Sequence, residues 1–204
     1  MSPSKLRLSV VYIHMSAPAL APPMHFAMVA PGVYRSGYPT RHNLAFLHNL
    51  GLRTIVNLEP TPHAADLLSW ISEHDIKVVE ADVAACMEPF VVASEEEIAR
   101  VLRILLDASN HPVLVHSLRG QARVGVVIGC LRRLQNWSLT ATFDEYRRFA
   151  GITANLLDLQ CIELFDIHAV ASDHVADRLS QPGSATSTNP PPGTGTTEVP
   201  SERA

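Results

Sequence analysis

The chain has 204 residues, 47% of them apolar, with a formal net charge of −4. That is enough apolar material for one sizeable core plus tails, and the acidic balance excludes the basic field that a nucleic-acid partner requires. No run approaches the roughly 20 apolar residues of a membrane span, so no membrane partner is expected either.

Lys5 and Arg7 precede the apolar stretch Leu8-Ser9-Val10-Val11-Tyr12-Ile13. The stretch is short and His14 and Pro18 interrupt it, which argues against a cleaved leader. Residues 1–23 read as a flexible extension. Thr40 is placed to cap a helix with Leu44, Leu47 and Leu50 on one face and Gly51 at its end. A buried strand is predicted over 52–58, a helix over 66–73 with Leu67, Leu68 and Ile71 inward, and a strand over 76–80. Ser94 and Glu97 have capping-box spacing, and behind them Ile98, Val101, Leu102 and Leu105 form a helical stripe. A short strand over 113–115 and a long helix over 120–137 follow. Thr142 and Glu145 suggest a capped helix ending near Phe149, and a last helix runs over 156–170. Strands alternating with helices predict an α/β fold with a mostly parallel central sheet flanked by helices. The folded unit is expected over 24–170 and a Pro/Ser/Thr/Gly-rich disordered tail over 171–204.

Cys86, Cys130 and Cys161 form no metal-ligand spacing and no disulfide framework, a pattern that fits a reducing compartment, cytoplasmic or also nuclear. The ten histidines show no ligand spacing, so no metal and no cofactor are expected. Trp70 and Trp137 read as packing residues, Cys130 and Cys161 as core thiols, and Glu95-Glu96-Glu97 as a solvated helix start.

The segment Val113-Leu114-Val115-His116-Ser117-Leu118-Arg119-Gly120-Gln121-Ala122-Arg123-Val124-Gly125 carries the chemistry. An apolar strand enters a tight loop that opens a helix, with the spacing His-Ser-x5-Arg. Several N–H groups converging at a helix N-terminus, with a cation, make an anion site. The binding loop is thus expected over Leu118, Arg119, Gly120, Gln121, Ala122 and Arg123. Arg123 is expected to return over it and grip two phosphate oxygens as a planar fork. Arg119 is expected to point to solvent or to an acidic neighbour. His116 is expected to support the loop by hydrogen bonding. A cysteine at position 117 would ionise beside a helix N-terminus and an arginine and attack phosphorus; the hydroxyl of Ser117 does not ionise there, and the loop supplies no base for it. A serine-hydrolase elbow is excluded, because Val115 and Arg119 stand where that motif needs glycines.

Beyond the loop, Phe26-Ala27-Met28-Val29, Gly32-Val33-Tyr34-Arg35-Ser36-Gly37-Tyr38-Pro39, Leu50-Gly51-Leu52-Arg53, Glu88-Pro89-Phe90-Val91, Asn110-His111-Pro112-Val113-Leu114-Val115-His116 and Phe143-Asp144-Glu145-Tyr146-Arg147-Arg148-Phe149-Ala150 occur in that order. In these blocks the chain resembles the plant and fungal atypical dual-specificity phosphatases, a tyrosine phosphatase-like family that includes the inositol pyrophosphate phosphatases. The resemblance implies the cysteine-phosphatase fold, with Ser117 at the nucleophile position. It also implies lost groups around the ligand. The family has lysine at Gln121, histidine at Ala122, threonine at Val124, where the hydroxyl supports the thiolate leaving group, and lysine at Met87. Leu118 replaces a polar or basic residue, and Thr153, Asn155 and Gln160 replace basic ones. Cysteine phosphatases place an aspartate general acid on a mobile loop upstream of the signature, and Asp82, Glu88 and Glu95 are the candidates here.

Two readings follow. The first is a pseudophosphatase that binds a phosphate-containing ligand, a phosphoprotein or related phosphatase-family proteins. The second is an active phosphatase, acting on inositol pyrophosphates or on phosphotyrosine and phosphoserine proteins, if position 117 is natively cysteine. A substitution made to trap substrate would leave the rest of the loop intact; the joint loss of the position-124 hydroxyl and several basic residues favours the first reading.

Overall fold

Successive side chains of a strand face opposite sides of the sheet, and this alternation divides the core in two. The strands are β1 (Ala27–Ala30), β2 (Val33–Gly37), β3 (Thr54–Asn57), β4 (Lys77–Glu80) and β5 (Val113–Ser117), and neighbouring residues of the central strands β3 and β5 separate between the two halves. Val56, Val113 and Val115 enter the larger cluster, and Ile55 and Leu114 the smaller. The computed structural model describes residues 20–59, 61–87 and 91–170. Its strands form one sheet of order β1-β2-β5-β3-β4. β1 is antiparallel to β2, and the other pairings are parallel, as an α/β chain with crossover helices requires.

α1 (Leu44–His48) and α2 (Ala65–Glu73) cover one face through Leu47, Leu67, Trp70 and Ile71. α3 (Glu95–Leu106), α4 (Ala122–Leu134), α5 (Leu139–Ala150) and α6 (Leu156–Leu164) cover the other. α6 approaches α4 closely at Gly129, where a Cβ would stand 2.5 Å from Ile162 Cδ1. No helix among the described residues is long and apolar enough to cross a membrane.

Several expectations change in detail. β1 and β2 escape the hydrophobic pattern; in β2 the run Val33-Tyr34 is broken by Arg35, Ser36 and Gly37. The Ser94–Glu97 capping box does not form; the Glu97 carboxylate instead accepts from the Ala84 amide at 3.5 Å. α5 begins a turn earlier than Thr142, capped by Ser138 Oγ, which accepts from Ala141 N at 3.3 Å. Glu145 is thereby free to pair with Arg132, whose Nε donates to Oε2 at 2.6 Å and Nη2 to Oε1 at 2.9 Å. α4 spans 122–134 rather than 120–137, and α6 stops at Leu164 rather than 170. Trp70 is buried, whereas Trp137 is exposed and lies 4.1 Å below the Arg132 guanidinium. Residues 1–19 and 171–204, where the extension and tail were expected, lie outside the described residues.

Candidate functional site

β5 ends at Ser117, and its register with β2 sets Gly37 beside that residue. The loop that follows is fixed from outside itself. Tyr38 N donates to Leu118 O at 3.2 Å, and His25 Nδ1 lies 2.7 Å from Arg119 O. Beneath it, the buried Arg35 donates from Nη2 to Gly120 O at 3.0 Å, with its guanidinium 3.8 Å over the Phe149 ring. Gly120 itself has φ +68°, and a Cβ there would meet Gly37 N at 2.3 Å. Only glycine satisfies both the left-handed backbone and that contact.

Above the loop opens a cavity of about 300 Å³ lined by Ser117, Leu118, Arg119, Gln121, Ala122 and Arg123, with Glu59, Ala85 and Thr153 completing the wall. α4 starts here without a side-chain cap, since Gln121 donates its Nε2 to Ala150 O at 3.2 Å instead. The first-turn N–H groups of a helix have no intrahelical acceptor, which favours an anion at this end. Ser117 Oγ accepts from Gly120 N at 3.1 Å. Among the described residues no base accepts the Ser117 proton.

The two loop arginines differ in their partners. The Arg123 fork is already held: Nη1 pairs with Glu59 Oε1 at 2.8 Å, and Nε donates to Val83 O at 2.9 Å. Glu59 Oε2 also accepts from Leu118 N at 2.9 Å. One carboxylate thus engages both the loop arginine and a loop amide, as an oxyanion would. Arg119 is exposed, lines the cavity and makes no ion pair among the described residues.

His116 is fully buried where β5 meets the loop, and the Ser117 backbone is the polar neighbour of its ring. The ring packs edge-on to Tyr38 at 5.8 Å and near His63 at 5.7 Å. Burial first, then the neighbouring His63, pushes its pKa down to about 3, so the ring is neutral and is no general acid near neutral pH. Burial and then Arg132 lower Arg35 to about 10, opposed by Glu145, and it stays charged. Val124 is fully buried in the larger core. Asp82 and Glu95 are exposed and do not line the cavity, and Glu88 lies outside the described residues.

Comparison with known proteins agrees with this arrangement: residues 20–182 match the family described as "Tyrosine phosphatase family". The chain belongs to the tyrosine phosphatase family. Inositol diphosphatase DSP1 of Oryza sativa subsp. japonica is 46% identical over 151 residues, covering 74% of this chain and 68% of that protein. Inositol diphosphatase DSP4 of Arabidopsis thaliana is 41% identical over 146 residues, covering 72% and 74%. The core catalytic domain of the PP-IP phosphatase SIW14 from S. cerevisiae, solved in complex with citrate, superposes with a TM-score of 0.72 at 36% identity. That match covers 78% of this chain and 96% of the solved one. Within this tyrosine phosphatase-family core, the sequence pattern missed Glu59, which closes a polar loop after β3, and gave Arg35 no role. Both act through contacts 59 and 85 residues away in sequence, to Leu118 and Gly120 respectively. A lone carboxylate after a strand and a lone arginine within one were the only signals available.

Proposed function

We propose that this chain is a pseudophosphatase: it keeps an oxyanion cradle of the tyrosine phosphatase family and lacks the nucleophile. The observation that carries this reading is Ser117, whose Oγ accepts from Gly120 N while no base takes its own proton. An unactivated hydroxyl is a poor nucleophile. Its ligand carries phosphate, as a small molecule or on a partner protein. Cradle amides and Arg123 bind one tetrahedral oxyanion weakly, on the order of millimolar, because Glu59 already engages Arg123 and the Leu118 amide.

The second reading, an inositol pyrophosphate phosphatase, is favoured by the names of the relatives and requires cysteine at position 117. Phosphate release from an aryl phosphate and from a diphosphoinositol polyphosphate separates the two. The chain as it stands is expected to give no turnover above the enzyme-free background. Ser117→Cys is expected to give measurable but poor activity, improved by adding Val124→Thr. Turnover by the unaltered chain that disappears in Ser117→Ala overturns the pseudophosphatase reading. Full activity from Ser117→Cys alone favours the second.

A further inference from the structure

The helices that cover the smaller core, α1 and α2, bring their C-terminal ends together. His48 is the last residue of α1, and His74 follows the last residue of α2. Their rings stand 4.9 Å apart at an interplanar angle of 71°, and both residues are exposed. They line an open cavity of about 490 Å³ together with Leu20, Leu44, Asn49 and Trp70. His74 Nδ1 lies 2.8 Å from Trp70 O. A carbonyl oxygen only accepts, so Nδ1 carries the proton and the lone pair is left on Nε2. A hydrogen bond of this kind behind an imidazole is what holds a metal-ligating histidine in its tautomer and orientation. This cavity shares no residue with the one above the phosphate loop.

We propose that His48 and His74 form a binding site for a divalent transition-metal ion of the imidazole-preferring class, copper(II) most tightly and zinc next. An ion about 2.0–2.1 Å from an imidazole nitrogen stands about 3.2 Å from the ring centre, so two rings meeting it at angles of about 90–110° have centres about 4.5–5.2 Å apart. The observed 4.9 Å falls inside that range. The exposed His48 side chain turns to present a nitrogen, while His74 stays fixed by its bond to Trp70. The surrounding charge favours a cation. The C-terminal end of a helix carries partial negative charge; His74 caps that end of the nine-residue α2, and Glu73 and Asp75 flank it in sequence. Among the described residues no third histidine, cysteine or carboxylate joins the pair. Asn49, which lines the same cavity, and water fill the remaining positions. Nitrogen ligands select copper and zinc over calcium and magnesium, which take oxygen. The two histidines are 26 positions apart, so no ligand spacing marks them in the sequence.

Copper(II) quenches a tryptophan beside it, and the Trp70 and His74 rings are 5.0 Å apart. The chain has two tryptophans, so Trp137→Phe leaves Trp70 as the single emitter. Titrating the tag-free full chain carrying that change with copper(II) chloride is expected to quench its emission saturably at micromolar concentrations, with one ion per chain, and EDTA to restore it. His48→Gln and His74→Gln are each expected to weaken binding by more than about tenfold, because even a hydrogen-bond partner behind a metal ligand carries about 10–100-fold. In the unsubstituted chain, zinc chloride is expected to protect His48 and His74 from diethyl pyrocarbonate while the exposed His42 goes on reacting, with the adducts located by mass spectrometry of tryptic fragments. That measurement needs no variant, so a substitution that fails to fold does not obscure the outcome. Emission unchanged at millimolar copper(II), quenching that survives either histidine substitution, or zinc that leaves either histidine reactive would each overturn the proposal.

Discussion

Glu59→Gln is the most informative single change, because it removes a charge from the cavity while keeping an oxygen that accepts from Arg123 or Leu118. The Glu59 side chain is 19% exposed and that of Arg123 26%, so their pair is partly screened. An oxyanion on the loop amides would stand close to this carboxylate, which itself accepts from Leu118 N at 2.9 Å. At an effective dielectric of about 20, two unit charges about 5 Å apart repel by about 3 kcal/mol. Exposure of the pair and the opening of the cavity to solvent reduce this, and about 1.4–2.8 kcal/mol remains, equivalent to a ten- to hundredfold tightening. Calorimetric titration of phosphate and sulfate into both proteins at low ionic strength measures it, and added salt should narrow the difference because screening weakens the repulsion. Equal affinities, or weaker binding by Glu59→Gln, would refute the argument. Glu59 would then orient Arg123 for the ligand rather than compete with it.

Other outcomes follow from neighbouring features. His116 has a folded pKa far below its unfolded value near 6.5, so its stabilising contribution is complete above pH 6.5 and is lost as pH falls toward 3. Between pH 7 and pH 5 this group alone removes about 2 kcal/mol, and urea melts of the wild type and His116→Asn should converge by that amount on acidification. Glu145→Ala leaves Arg132 buried without its bidentate partner and should cost about 3 kcal/mol by the same assay; Arg132→Met with Glu145→Leu should recover most of it. Gly120→Ala forces a Cβ onto the Gly37 amide and should cost at least about 3 kcal/mol, with loss of oxyanion binding detected by calorimetry.

Hydrophobic period carried most of the fold. The Ile98, Val101, Leu102 and Leu105 stripe became the buried face of α3, and the apolar run before Ser117 became the buried strand β5. Caps were less legible because polar side chains have competing partners: Glu97 turned to Ala84, and Glu145 to Arg132. The loop could be placed from Ser117 to Arg123 because its residues are contiguous. What engages it could not, since Glu59, Arg35 and His25 reach it across strands whose neighbours are set only by folding.

The segment from His25 to Tyr38 supplies the loop with a backboard: Arg35, Tyr38 and His25 each hold one of its carbonyls, and Gly37 leaves room for it. None of these contacts uses the Ser117 hydroxyl. The shape that receives an anion and the group that would attack it are therefore carried by different parts of the chain, so one can be lost while the other persists. A version beginning after Tyr38 would retain every letter of the Ser-x5-Arg signature and have nothing to press it into a cradle. Substitution at position 117, by contrast, changes the chemistry while leaving the receptor standing.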